Sequence, residues 1–165
     1  MSTAPAISSE MSLCEWQAYL IDRAAMTMAH FVATTESERL DWKPTVGGQV
    51  YTRSVLDMVG ECIGVNNRFA ALLEGKQAEE GAPIELKDAG DAQRMLLESA
   101  QALASVVRKL TSDAVERVFE TKMGPLPGAI LMELPMANMH YHSGQINMIQ
   151  LLYGDETFHV PPRFF

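Results

Sequence analysis

Apolar residues recur at three- and four-residue spacing over four stretches of the chain, and that period predicts four amphipathic helices. The first covers roughly residues 12–34. It opens on Ser12 and Glu15, which have the spacing of a capping box, and carries Trp16, Leu20, Ala24, Thr27 and Phe31 along one face. The second runs from about Arg53 to Glu74, with Thr52 or Ser54 as its cap and Gly75 as its stop. The third is introduced by Asp88 and Asp91 and carries Leu96, Ala100, Leu103, Val107 and Leu110. Acidic residues at its start and Arg108-Lys109 at its end suit the helix macrodipole. The fourth covers residues 132–154, with Pro135 in its first turn or at a kink and Gly154 as terminator.

The connections hold the breakers. Residues 40–52 include Pro44 and Gly47-Gly48 and read as a linker; residues 111–128, with two prolines and two glycines, read as a compact irregular segment containing one short helical turn. With no convincing β-alternation, the expected fold is all-α, an antiparallel four-helix bundle. The expected organisation is a flexible leader over 1–10, the bundle over 11–155, and a tail over 156–165. That tail holds His159 and ends on Phe164-Phe165, so it is expected to pack on the bundle or on a partner subunit in a homodimer.

Composition narrows the function classes. A chain of 165 residues, 47% apolar and 21% charged, makes one globular domain. Its net charge of −8 repels phosphate backbones and anionic lipid surfaces, so neither nucleic acid nor membrane is an expected partner. The N-terminus lacks the basic and apolar regions of an export signal, and no run of ~18 apolar residues is present to span a bilayer. Cys14 and Cys62 both fall inside apolar helical patterns, which predicts buried thiols and a reducing, cytoplasmic setting.

Candidate chemistry concentrates on helices 2 and 4. At ~100° per residue, Asn138, His142, Gln145 and Ile149 share a narrow arc, whereas His140 lies opposite His142 and cannot join it on one ion. Asn138 and His142, four apart, stand one turn above the other. On helix 2, Glu61 falls beside Met58, Val65 and Leu72 at the border of the core, where a carboxylate needs a partner. Glu61, Asn138 and His142 together fit a metal or catalytic site built from facing bundle helices, and equally a hydrogen-bonded polar group. Gly60 and Gly64 bracket Glu61 and let another helix approach closely. His30, on the inward side of helix 1, is expected in the core or at a pocket rim. Met132, Met136, Met139 and Met148 are expected as core filler or as an adaptable pocket lining. Cys62 is no candidate nucleophile, because neighbouring Glu61 would disfavour its thiolate. No nucleophile-elbow or phosphate-loop pattern occurs.

The stretch Asn138-Met-His-Tyr141-His142-Ser-Gly-Gln145, running on to Leu152-Tyr-Gly154-Asp155, resembles the His-x-x-x-His-x-Gly-Gln helix of the DinB-like superfamily. Trp42-Lys-Pro44, followed by the Ser54-to-Glu61 spacing, is similar to a second segment of that family. The resemblance implies a four-helix bundle related to divalent-metal proteins and thiol-dependent transferases, with three metal-binding histidines. Carried over by position, those ligands become Glu61, Asn138 and His142, so that two oxygens and one nitrogen replace three imidazoles. Gln145, Met58, Val65, Tyr141 and His30 are the expected pocket residues. Zn, Ni, Mn and Fe are not distinguished by this donor set; a low-molecular-weight thiol is the implied co-substrate. The expected function is metal-dependent thiol transfer or hydrolysis on a small molecule. The alternatives are a ligand-binding or stress-related bundle that has lost the metal, with Glu61 and His142 as a polar pair, and a structural dimer module.

Overall fold

The computed structural model describes residues 11–77, 81 and 83–161. Four helices dominate: α1 (Leu13–Ala33), α2 (Val55–Leu73), α3 (Ala89–Arg108) and α4 (Gly128–Leu152). Their starts are set by side chains that satisfy backbone N–H groups left free in a first turn. Ser12 Oγ accepts from Glu15 N at 3.2 Å while Ser12 N donates to Glu15 Oε2 at 2.8 Å, the expected capping box. Ser54, rather than Thr52, does the same for α2 with Asp57. Asp88 Oδ1 accepts from Asp91 N at the start of α3.

α1 packs on α3 and α4, and α2 packs on the same two helices, so the core lies between all four. On α3 the predicted stripe of Leu96, Ala100, Leu103 and Val107 is buried. The buried face of α1 is rotated from the predicted one. Ala24 of the predicted face is buried, but Cys14, Ala18, Ile21, Ala25, Met28 and Val32 also face inward, whereas Trp16 keeps 37% of its surface exposed. Alanines carry that face because small side chains let α1 approach its neighbours closely, and apolar periodicity weighted toward large residues misplaces it.

The all-α expectation is corrected by two antiparallel hairpins. In the linker, β1 (Thr45–Val46) pairs with β2 (Gln49–Val50) across Gly47 and Gly48, whose φ of 59° and 81° give the two left-handed positions of a tight hairpin turn. In the segment read as irregular, β3 (Val118–Thr121) pairs with β4 (Gly124–Pro127) after a 3-10 turn, Ser112–Val115. Pro125 and Pro127 alternate along β4, which a two-stranded ladder tolerates because one side of each strand is unpaired. β4 runs straight into α4, so α4 starts at Gly128, four residues before the predicted boundary. Pro135 lies inside the helix rather than in its first turn. No helix among the described residues is long and apolar enough to cross a membrane. The leader over 1–10 and the terminal Phe164-Phe165 lie outside the described residues; before them, Phe158 is 85% exposed and Pro161 is buried.

Candidate functional site

Helical phase brings α2 and α4 together at Glu61 and His142. His142 is 5% exposed, and its Nε2 lies 3.4 Å from Glu61 Oε1. On the other side of the ring, Gln145 Oε1 accepts from His142 Nδ1 at 2.6 Å, and Gln145 Nε2 donates in turn to the Tyr141 hydroxyl at 3.2 Å. With the amide oxygen toward the ring and the amide nitrogen toward Tyr141, Nδ1 is the nitrogen that carries the proton. Burial holds the His142 imidazole below its ordinary range, partly opposed by the bond to Gln145 and reinforced by the charge of Arg53. The ring is therefore neutral near pH 7, and Nε2 presents a lone pair. That lone pair has no hydrogen-bond partner among the described residues, and it faces a carboxylate oxygen. A buried lone pair facing a carboxylate oxygen is repelled by it unless a cation or a proton lies between them.

Glu61 is one-third exposed and is ion-paired on its other oxygen with Arg53. Arg53 was not in the predicted site, because it precedes the Ser54 cap and no helical spacing relates it to Glu61. Asn138 lies on the same arc of α4, but its Nδ2 donates to Cys62 Sγ at 3.4 Å. Cys62 is fully buried, and burial pushes its thiol up to about 12, so it is not a nucleophile. The cause is desolvation rather than the predicted neighbouring charge of Glu61. Among the described residues, no group of three or more His, Cys, Asp or Glu side chains is placed to hold a metal. A metal here would draw on Glu61 Oε1, His142 Nε2 and an amide oxygen.

Of the expected pocket residues, only Gln145 touches His142 through a side-chain hydrogen bond, with Tyr141 65% exposed behind it. Met58 is wholly buried in the core and Val65 packs against it. His30 is on α1, its ring edge-on to Phe31. The open space at the site is instead a groove of about 890 Å³ on the outer face of α2, with Glu61 in its wall and Ile84 and Leu86 across from it. Gly60 does accommodate a close approach, but by the backbone carbonyl of Ile84, 3.4 Å from where a Cβ would stand, and not by a helix. The sequence signal for this groove was the Gly60/Gly64 pair; residues 83–86 have no periodicity to betray their position.

Burial also holds His30 below the ordinary imidazole range, with nearby His159 adding to the effect. Both His30 and His142 therefore bind protons less readily folded than unfolded. The unfolded chain takes up the extra protons first as pH falls, so their effect is absent well above pH ~6.5 and stability declines as pH drops through that value. Urea unfolding midpoints are expected to fall between pH 7.5 and 5.5, with a shallower decline in His142→Gln. An unchanged slope in that variant would remove His142 from the account.

A crystal structure of the conserved protein of locus from Enterococcus faecalis is similar to this chain, with a TM-score of 0.62 and 12% identity over 87% of this chain and 99% of the other. At that identity the likeness shows the fold alone. No protein-family model matches the sequence, and no curated protein does.

Proposed function

We propose that this chain is a divergent DinB-like protein, an antiparallel four-helix bundle that binds a divalent cation between Glu61 and His142 and acts on a small molecule by thiol transfer or hydrolysis. The observation that carries the proposal is the buried, unpartnered Nε2 of His142 facing Glu61 Oε1 at 3.4 Å. A neutral imidazole whose other nitrogen is fixed by an amide is the form in which histidine binds metals. When bound, a divalent cation supplies Lewis acidity to an oxygen or sulfur donor. The chain's own residues do the rest. Gln145, braced by Tyr141, aims the ring; Arg53 anchors the Glu61 carboxylate at the groove wall; Asn138 offers an amide one turn away.

Metal analysis after chelation and reloading tests this. The wild-type protein is expected to retain one equivalent of divalent metal, and Glu61→Gln and His142→Ala to retain none. Gln145→Leu is expected to bind about 10- to 100-fold more weakly, since it frees the ring without deleting a ligand. Wild-type protein that takes up no stoichiometric metal would overturn the proposal.

One observation favours a second reading. Arg53 already places a positive charge on Glu61, which is the service a metal would perform for that carboxylate. In this reading the protein is a metal-free, non-catalytic ligand-binding bundle. It predicts that Arg53→Ala gains no affinity for added metal; a rise would show that a cation and the guanidinium compete for Glu61, and would overturn this second reading.

A further inference from the structure

The groove beside Glu61 has a distribution of charge that its acidic surroundings hide. Its lining includes two arginines, Arg53 and Arg68. Arg53 is committed to Glu61. Arg68, seven residues further along α2, has no ion-pair partner among the described residues. Of the lining carboxylates, Asp57 is held by Lys43 at 2.6 Å and by its role in the Ser54 cap. Asp41 follows Leu40, whose carbonyl accepts from Leu56 N, and Glu85 follows Ile84, which lies over Gly60. Among the described residues, the lining's carboxylates thus gather along the N-terminal half of α2, and Arg68 is the lining's charged side chain toward its C-terminal half.

Between the two ends the floor is bare. Glu61, Gly64 and Arg68 fall on one stripe of the helix, and a Cβ built on Gly64 meets nothing within 4 Å. Leu56, Ala71, Ile84 and Leu86 supply apolar walls. Seven residues of helix separate Glu61 from Arg68 by about 10 Å, roughly the extended length of an eight-carbon acid.

We propose that this groove binds an amphipathic monocarboxylate, its carboxylate paired with Arg68, its apolar body lying over Gly64, and its far end reaching toward Glu61. A guanidinium that has no ion-pair partner among the described residues matches a carboxylate in a two-point fork. A polyanion is disfavoured by Asp41, Glu85 and the overall charge of −8. The proposal rests on the function assigned to Glu61 and His142 only for which end of the ligand lies toward Glu61. Binding at Arg68 needs no metal.

The test is a two-dimensional amide NMR titration of the chelator-treated full chain with octanoate, 1-octanol and octylamine. Octanoate is expected to bind saturably and to shift the Gly60 and Gly64 amides most. Arg68→Gln is expected to weaken octanoate about tenfold, to the level of 1-octanol, since a charge-assisted pair is lost. Gly64→Leu, which fills open space on a helix and keeps the fold, is expected to abolish it. Unchanged octanoate affinity in either variant overturns the proposal, as does tighter binding of octylamine or no saturable octanoate binding in the wild type. Because metal is absent throughout, a failed metal reading leaves these outcomes intact, and a failed titration leaves the metal stoichiometry intact.

Discussion

Gly128→Ala is expected to cost about 3 kcal/mol or more of unfolding free energy, a large fraction of what holds a domain of this size folded. Gly128 joins β4 to α4, and its N–H donates to the Arg117 carbonyl at 2.8 Å. A Cβ at this position would stand 1.9 Å from the Ala114 carbonyl oxygen and 3.1 Å from the Phe119 ring. The oxygen belongs to the backbone of the 3-10 turn, so no rotamer change relieves the clash, and either the turn or the hairpin must move away from α4. The glycine's φ is not positive, so the argument is one of space and not of backbone conformation. Gly64→Ala is the control, because it adds the same methyl group where nothing lies within 4 Å and should stabilise α2 by up to about 1 kcal/mol. Urea denaturation of both variants checks the contrast. Equal midpoints would show that the β4–α4 junction is slack.

The same junction shows where the sequence was legible and where it was not. α1 to α3 came within a few residues of their predicted limits because capping side chains and glycine stops act locally, over three or four residues. The start of α4 was misplaced because its N-terminus has no capping side chain and is held by the Arg117 carbonyl, a contact across the β3–β4 hairpin. That hairpin was itself obscured by Pro125 and Pro127, which count against a strand in sequence and are harmless on a two-stranded ladder.

The candidate site divides in the same way. Glu61 and His142 could be placed on facing helices by counting residues, and they stand 3.4 Å apart. Asn138 has the right phase as well, yet its amide is taken up by Cys62, a partner that helical counting on α4 alone does not reveal. Arg53, Arg68 and the groove wall at residues 83–86 depend on how a cap and an irregular segment lie against α2. Periodicity carries no information about such contacts, although it was sufficient to mark Gly60 and Gly64 as unusual.

Gln150 carries the second large effect, and its size depends on the replacement. Its side chain is wholly buried near the end of α4, and Nε2 donates to the Phe31 carbonyl at 3.1 Å and to the hydroxyls of Thr34 and Thr35 at 3.0 and 3.2 Å. It thereby ties the last turns of α4 to those of α1. Gln150→Ala removes this tie and leaves a cavity that neighbouring helices cannot collapse into, an expected cost of about 3 kcal/mol. Gln150→Met fills nearly the same volume. The Phe31 carbonyl still accepts from both threonine hydroxyls, at 3.2 and 2.8 Å, so the replacement strands no backbone acceptor. Gln150 Oε1 has no partner among the described residues, so its removal also relieves a desolvation cost. Gln150→Met is accordingly expected to stay within about 1 kcal/mol of wild type. Denaturation midpoints of the two variants decide the matter. A loss in Gln150→Met as large as in Gln150→Ala would mean that the hydrogen bonds, and not the filled volume, hold α4 to α1.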